Sequence, residues 1–265
     1  MILNVQEDRL LITSDTHLGS LFCNPRPGLT HFLEYARVHK YNVCVNGDGI
    51  DVLHTSLRKM TRETAGFLPE LRRITDGGDI TIYYTIGNHD IVLEHYLADW
   101  GRLRLVPFLN VTSGNKRIRI EHGHLYDPFF LKHPDLQDAL TRFGGLICRI
   151  HPPWYHWYKL YGVLKYRYIY RLLKRTHAEG GGFLDAGERP SYVEAAEELA
   201  RRGFDAVIFG HTHNPGILPL NGGKARYMNT GSWFSQPYYV ELLNGEIAFK
   251  PWLDPGPLAM ASLAP

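Results

Sequence analysis

The segment Ala206–His213, AVIFGHTH, is a short apolar run that ends directly in a glycine and two histidines. Four further segments have the same form, an apolar run followed by turn residues that carry Asp, Asn or His side chains: 10–17 (LLITSDTH), 42–48 (NVCVNGD), 80–90 (ITIYYTIGNHD) and 118–124 (IRIEHGH). Short apolar runs bounded by turn residues are typical of buried strands. The sequence therefore predicts five strands with polar side chains at their carboxyl ends.

Helical stretches separate these strands, at about 28–40, 55–75 and 91–100 and from Ser191 to Arg202. In the last of these, Ser191 and Glu194 have the spacing of a capping box, which predicts that the helix begins there. Strands that alternate with helices predict an α/β fold, in which the loops after the strands gather at one edge of the sheet. Beyond His213 we predict antiparallel strands, with Asn-Gly turns at 220–223 and 243–246.

The five strand ends supply seven side chains of the kinds that bind divalent cations: Asp15, His17, Asp48, Asn88, His122, His211 and His213. Each alone is more often a turn former or a surface group, but their recurrence at every predicted strand end favours a shared metal centre. Side chains at i and i+2 of an extended chain share a face, so each D-x-H or H-x-H pair directs two ligands to one side. Oxygen and imidazole donors without thiolate favour Mn, Fe or Zn. We predict two divalent ions, manganese first among the candidates, in a clamp suited to phosphoryl chemistry.

Composition excludes several other classes of protein. The chain has 265 residues, of which 44% are hydrophobic and 21% charged, close to the globular average and unlike a disordered, collagen-like or coiled-coil chain. No apolar run approaches the ~18–20 residues of a membrane-spanning helix, and the N-terminus does not resemble a signal peptide, so we expect a cytoplasmic protein. Cys23, Cys44 and Cys148 are scattered along the chain and are expected to be buried thiols.

Basic charge is concentrated between residues 129 and 177. This segment has nine basic and two acidic residues, a net charge of +7, while the rest of the chain has 20 basic and 25 acidic residues, a net charge of −5. The segment interrupts the strand and helix alternation, so we predict a helical cap at 129–177 inserted into a catalytic body formed by 1–128 and 178–253. The Pro- and Ala-rich residues 254–265 are predicted to be a flexible tail.

Eight aromatic residues lie between Trp154 and Tyr170 of this cap, interleaved with lysines and arginines. Tyr and Trp beside Lys and Arg favour the headgroup region of an anionic membrane, so one interpretation is a peripheral protein on the inner face of the membrane. A second is an ordinary cap helix packed on the body, and a third, less favoured, is a site for single-stranded nucleic acid. The candidate substrate-binding residues of the cap are Trp154, Tyr158, Lys165 and Arg171.

Five motifs in this order resemble those of the calcineurin-like metallophosphoesterase superfamily: D-x-H (15–17), G-D (47–48), G-N-H-D (87–90), H-G (122–123) and G-H-T-H (210–213). The resemblance implies a four-layered α/β/β/α sandwich with a dinuclear metal site. It implies that one ion is held by Asp15, His17, Asp48 and His213, and the other by Asp48, Asn88, His122 and His211, so that Asp48 bridges them. His89 matches the superfamily's histidine near the leaving-group oxygen, and Asp90 would orient it.

Within this superfamily, the helical insertion is similar to that of the UDP-2,3-diacylglucosamine diphosphatases of lipid A synthesis. The similarity implies hydrolysis of a phosphodiester or pyrophosphate bond in a lipid-linked or nucleotide-diphospho-sugar substrate at the membrane surface. Those enzymes typically have Arg where this chain has His89, and an acid where it has His124. The alternatives are a soluble phosphatase or cyclic-nucleotide phosphodiesterase, a nuclease, and a non-catalytic scaffold with a phosphoesterase fold.

Overall fold

Two β-sheets form the centre of the protein in a computed structural model that describes residues 2–20, 25–51, 72–73, 80–97, 99–132, 188–234 and 236–256. In chain order the strands are β1 (Ile2–Gln6), β2 (Arg9–Thr13), β3 (Asn42–Asn46), β4 (Ile82–Thr85), β5 (Asp99–Trp100), β6 (Leu103–Val106), β7 (Phe108–Ser113), β8 (Lys116–Ile120), β9 (Ala206–Phe209), β10 (Gly216–Leu220), β11 (Ala225–Asn229), β12 (Tyr238–Leu243) and β13 (Glu246–Pro251). One sheet has six strands in the order β1-β7-β8-β9-β11-β10, and the other has seven in the order β13-β12-β2-β3-β4-β6-β5.

Three α-helices and three short 3-10 turns accompany the strands in the described part of the chain. The helices are α1 (Arg26–Val38), α2 (Pro128–Lys132) and α3 (Pro190–Arg201), and the 3-10 turns are at Ile91–Tyr96, His124–Tyr126 and Asn221–Gly223. Among the described residues, no helix has both the length and the apolar character needed to cross a membrane.

The strands that lead to the predicted ligands pair in parallel with one another. In the seven-stranded sheet, β2, β3 and β4 are parallel neighbours, with Ile12 opposite Cys44 and Cys44 opposite Tyr83. In the six-stranded sheet, β8 is a parallel neighbour of β9, with Ile120 opposite Ile208. Parallel neighbours end at the same edge, so each sheet brings its own set of strand ends to one place.

Side chains between the two sheets form the central core. Leu10 and Ile12 of β2 face inward and belong to the same apolar cluster as Ile208 of β9. Leu11, between them in sequence, faces the other way and belongs to a cluster that includes Phe32 of α1. Alternate residues of a strand point to opposite faces, so β2 is buried on both faces, which explains why its sequence is a continuous apolar run.

The outer face of the six-stranded sheet is covered by α3, where Tyr192 and Ala196 pack with Val207 and Phe209. The layers therefore follow the order α1, seven-stranded sheet, six-stranded sheet, α3. This confirms the predicted α/β class and the four-layered sandwich. Of the predicted cap at 129–177, residues 129–132 belong to α2, and the rest lies outside the described residues, so the helical structure and boundaries of the cap remain predictions.

The start of α3 differs from its prediction. The helix begins at Pro190 with Arg189 as its N-cap residue, and no side chain caps it. Proline already has the φ of a first helical turn and has no N–H to satisfy, so it suits this position. The predicted capping box of Ser191 and Glu194 is therefore wrong.

The region predicted as a helix over 91–100 is also different, because only a 3-10 turn forms there before β5. Gly101, with a φ of 75°, lets the chain reverse so that β5 pairs antiparallel with β6. The helix predicted at 28–40 is α1, and the one predicted at 55–75 lies outside the described residues except for 72–73. Both predicted Asn-Gly turns are confirmed, since Asn221 and Asn244 have a φ of 50° and each connects two antiparallel strands.

Candidate metal centre

The ends of five strands, taken from both sheets, meet at one place. The seven-stranded sheet contributes the side chains that follow β2, β3 and β4: Asp15, His17, Asp48 and Asn88. The six-stranded sheet contributes the side chains that follow β8 and β9: His122, His211 and His213. The sequence predicted that these side chains gather at one edge of a single sheet, whereas in the structure they come from the edges of two sheets.

A first group of donors comprises Asp15, His17, Asp48 and His213, whose ligand atoms all lie within 4.8 Å of one another. His213 Nε2 lies 3.0 Å from Asp15 Oδ1 and 3.2 Å from His17 Nε2. Asp15 Oδ1 is buried and accepts no well-formed hydrogen bond. A bound cation would satisfy this carboxylate oxygen.

A second group comprises Asp48, His122 and His211, again with ligand atoms within 4.8 Å of one another. His122 Nε2 lies 3.3 Å from Asp48 Oδ2 and 3.3 Å from Asn88 Oδ1. His211 Nδ1 lies 2.8 Å from the same Asn88 oxygen. The structure therefore brings all seven predicted ligands together, and Asp48 belongs to both groups.

The backbone at this site is held in an uncommon conformation. Five of the seven donors have φ values between 46° and 64°: Asp15, His17, Asp48, His211 and His213. A positive φ costs a residue with a side chain of order 1–3 kcal/mol, and such strain concentrates at functional sites. Two glycines make the tight approach of these loops sterically feasible, because a Cβ would lie 2.1 Å from Asp48 Oδ1 at Gly87 and 2.4 Å from Asp15 Oδ2 at Gly210.

The donor set fits divalent cations. It consists of two carboxylates, one amide oxygen and four imidazoles, which suits Mn, Fe or Zn. Atoms of these groups that can bind a metal lie close to one another, as His17 Nε2 and His213 Nε2 do at 3.2 Å. A cation that lay between such atoms would stabilise the arrangement, and it would also satisfy Asp15 Oδ1, which is buried without a well-formed hydrogen bond.

The carboxylates and imidazoles of the cluster shift one another's pKa values. Burial would raise the pKa of Asp48, but the imidazolium groups of His122 and His89 hold it well below its usual value. Burial would lower the pKa of His122, but the carboxylates of Asp48 and Asp15 raise it to about 10. Burial and the neighbouring charge of His89 lower the pKa of His17 to about 3. Divalent cations would displace protons from this cluster on binding.

Comparison with known proteins identifies the family. A model of the calcineurin-like phosphoesterases matches residues 8–215, which include all seven donors. The chain belongs to this family. It is a metal-dependent phosphoesterase, and thus a hydrolase that acts on a phosphorylated substrate.

Two curated relatives of this phosphoesterase come from Vibrio cholerae serotype O1, and both are named UDP-2,3-diacylglucosamine hydrolase. The protein of the Classical Ogawa strain is 24% identical over 200 residues, which cover 70% of this chain and 74% of the relative. The protein of the El Tor Inaba strain is 26% identical over 179 residues, which cover 63% of this chain and 67% of the relative.

Among solved structures, the phosphoesterase resembles vacuolar protein sorting 29 of Cryptosporidium parvum with a TM-score of 0.42 and 14% sequence identity. The match covers 92% of this chain and 97% of the other. A TM-score this low supports no functional argument.

The candidate catalytic histidine of the phosphoesterase lies beside the donors. His89 Nε2 lies 3.9 Å from Asp48 Oδ2, and its Nδ1 lies 3.4 Å from Asp51 Oδ1. Burial would lower the pKa of His89, but Asp48 and Asp51 outweigh it and raise the pKa to about 9. Asp51 is thus a carboxylate beside the His89 ring that the sequence had not suggested.

Asp90 holds two loops together. Its Oδ1 accepts a hydrogen bond from the Gly87 N–H at 2.7 Å, and its Oδ2 accepts one from the Gly49 N–H at 2.9 Å. The Tyr84 hydroxyl donates to the same Oδ2. Burial and the charge of Asp48 raise the pKa of Asp90 to about 6. Both oxygens of Asp90 are thus engaged by groups of the loops after β3 and β4, and the role of Asp90 in orienting His89 remains a prediction.

Three acidic residues of the site were missed from the sequence. Asp51 has one signal, its position three residues after Asp48 in the same loop. Asp127 Oδ2 lies 3.2 Å from His211 Nε2, and Glu188 Oε2 accepts a hydrogen bond from the Thr212 hydroxyl at 2.8 Å. Neither Asp127 nor Glu188 lies at a sequence spacing from the predicted ligands that would have identified it as part of the site. The cap candidates Trp154, Tyr158, Lys165 and Arg171 lie outside the described residues, so their roles remain predictions.

Proposed function

We propose that this phosphoesterase binds two divalent cations and hydrolyses a phosphodiester or pyrophosphate bond. Asp15, His17, Asp48 and His213 would hold one cation, and Asp48, Asn88, His122 and His211 the other. The observation that supports this most is the position of Asp48 in both donor groups. A carboxylate shared in this way suits a pair of cations about 3.5–4 Å apart, which lower the pKa of water and neutralise charge on phosphoryl oxygens.

His89 is the residue that we expect to act on the leaving group. Its Nδ1 is directed at Asp51, so its Nε2 faces the donors and the space where a phosphoryl group would lie. A protonated Nε2 can donate to the leaving oxygen and stabilise the charge that develops there. Asp51 would keep the proton on Nδ1 and fix the orientation of the ring.

For the substrate we propose a nucleotide-diphospho-sugar that carries a lipid. The support comes from the two relatives named UDP-2,3-diacylglucosamine hydrolase, together with the basic, aromatic composition of residues 129–177. A soluble phosphatase or cyclic-nucleotide phosphodiesterase that uses the same metal centre is the alternative.

A substrate panel in the presence of Mn²⁺ tests this choice. The panel contains an aryl phosphate diester, an aryl phosphate monoester and a UDP-linked acylated sugar, and Asp48→Asn is the inactive control. We expect the highest kcat/KM for the UDP-linked sugar, with UMP as one product. A higher kcat/KM for the aryl diester would favour the soluble phosphodiesterase, and hydrolysis by Asp48→Asn at the wild-type rate would contradict the metal centre itself.

Recruitment to an anionic membrane surface is proposed as a separate property of the predicted cap. Its test is flotation with phosphatidylglycerol vesicles at low and high salt. Neutralising Lys159, Arg167, Lys174 and Arg175 with glutamine should reduce flotation, because each cation near an anionic surface contributes about 1 kcal/mol. Unchanged flotation of this variant, or no flotation of the wild type, would contradict the membrane proposal and leave the hydrolase proposal intact.

A further inference from the structure

The two ring nitrogens of His211 face different partners. Nδ1 lies 2.8 Å from Asn88 Oδ1, on the side of the second donor group. Nε2 lies 3.2 Å from Asp127 Oδ2, on the opposite side of the ring. A carboxylate oxygen can only accept, so this contact places the proton of the imidazole on Nε2. Nδ1 is then left with its lone pair directed at the donor group.

His122 also has one ring nitrogen that carries the proton and one that faces the donor group, but its proton is held by a different kind of partner. Its Nδ1 donates to the backbone oxygen of Asn46 at 3.0 Å, which leaves Nε2 to face Asp48. For His122 the proton is fixed by backbone that β3 already holds in place. For His211 it is fixed by a side chain, so a single substitution can remove the contact.

Asp127 is itself well held. Its side chain is 11% exposed, and the same Oδ2 that meets His211 lies 3.0 Å from Arg189 Nη1. Its backbone N–H donates to the His124 oxygen at 3.2 Å. On the other side, the Tyr192 ring stacks nearly parallel to the His211 imidazole, with ring centroids 6.1 Å apart. The His211 ring is thus fixed in position by a carboxylate at its edge and an aromatic ring at its face.

We propose that Asp127 is a positioning residue for the second cation, a role that rests on the proposed metal centre. Through His211 Nε2, Asp127 selects the tautomer and ring orientation in which Nδ1 binds the metal, and Arg189 balances the charge of Asp127. Partners of this kind orient metal-binding histidines and raise their basicity, and their loss typically reduces metal affinity by 10–100-fold. Asp127 and Arg189 act on the metal through His211 and do not touch the reacting atoms.

An ordinary ion pair between Asp127 and Arg189 would look similar in the structure, so the variants must separate the two roles. Asp127→Ala removes the acceptor, whereas Asp127→Asn keeps an oxygen that can accept from His211 Nε2–H. Arg189→Gln breaks the ion pair and leaves the contact between Asp127 and His211. The matched control is Asp205→Asn, which removes another paired carboxylate, 3.4 Å from Lys116, at the opposite end of β9 from His211.

The experiment titrates metal-free wild type and variants with Mn²⁺ by calorimetry and follows the exchange-coupled dinuclear signal by electron paramagnetic resonance. We expect Asp127→Ala to weaken the second binding step by about 10–100-fold, and to lose the coupled signal at Mn²⁺ concentrations that saturate the wild type. Asp127→Asn and Arg189→Gln should lose less than Asp127→Ala, and Asp205→Asn should match the wild type. Circular dichroism verifies that each variant is folded.

Three results would overturn or redirect the proposal. If Asp127→Ala binds both ions as the wild type does, Asp127 has no positioning role. If Arg189→Gln equals Asp127→Ala in every readout, the ion pair and not the contact with His211 is what matters, and the proposal is wrong. If the wild type itself binds no second Mn²⁺, the proposed metal centre fails, a result distinct from the other two.

Discussion

Substitution of Gly87 by alanine should damage the metal centre while leaving the fold in place. An added Cβ would lie 2.1 Å from Asp48 Oδ1 and 2.5 Å from the Asp48 backbone nitrogen. Ordinary van der Waals contact begins at 3.4 Å, so relief of the first clash alone requires a shift of about 1.3 Å. Because Asp48 backbone is also in contact, rotation of its side chain cannot relieve both clashes. Either Asp48 as a whole or the loop that carries Gly87 and Asn88 must therefore move, and both segments carry candidate donors.

The expected magnitude follows from that shift. A misplacement of about 1 Å in a catalytic site can cost about 10²-fold in rate, so we expect kcat/KM of Gly87→Ala to fall at least that far. Overpacking of a well-packed site costs roughly 1–3 kcal/mol of stability, which the fold should tolerate.

The assay measures Mn²⁺-dependent hydrolysis of an aryl phosphate diester together with bound metal and the thermal unfolding midpoint. Gly28→Ala is the matched control, because its Cβ would lie 3.3 Å from a Trp233 ring atom and the substitution is in α1. We expect Gly28→Ala to keep wild-type activity and metal content. Wild-type activity and metal content in Gly87→Ala would refute the reasoning, since the loops would then tolerate a displacement that the geometry forbids.

Two further substitutions and one labelling experiment test other parts of the account. His89→Ala should keep both metals and lower kcat by about 10²–10⁴-fold, the usual contribution of acid–base help, and loss of metal in this variant would show that His89 is a ligand instead. Asp51→Asn should also lower kcat, but by less than His89→Ala does, because the amide oxygen of Asn can still accept a hydrogen bond from His89 Nδ1. A larger loss of kcat in Asp51→Asn than in His89→Ala would contradict the positioning role of Asp51. Burial raises the pKa of the Cys44 thiol well above its usual value, so at about pH 8 iodoacetamide should modify Cys44 only after unfolding. Peptide mass spectrometry of native and guanidinium-treated protein measures this modification. Modification of Cys44 in the native protein would show that β3 opens.

The class of fold could be predicted from the sequence because burial on both faces gives each parallel strand a continuous apolar run. Leu10–Thr13 and Ala206–Phe209 have the same local pattern, however, and they lie in different sheets. The sheet to which a strand belongs depends on which strands, distant in sequence, pair with it, and the local sequence of the strand does not indicate these partners. The helix predicted at 91–100 was wrong for a related reason, since the pairing of β5 with β6 overrides the local pattern.

The sequence could predict that the seven candidate donors lie together, because each of them follows an apolar run and polar side chains recur at all five of these strand ends. The residues that support them could not be predicted in this way. Asp90 is next to His89 in sequence, yet its carboxylate is turned beneath the loop toward Gly49 and Gly87. Asp51 is 38 positions away from His89 and reaches it only because β3 and β4 are neighbours. Contacts of this kind follow from strand order and become visible only in three dimensions.

The most direct test of the central claim is the metal content of the purified protein. Wild type and Asp48→Asn are incubated with Mn²⁺, freed of unbound metal by gel filtration and analysed by inductively coupled plasma mass spectrometry. The account predicts two equivalents of Mn²⁺ per chain in the wild type and fewer than one in Asp48→Asn, because both donor groups share that carboxylate. A wild type that retains no metal, or an Asp48→Asn variant that retains two equivalents, would contradict it.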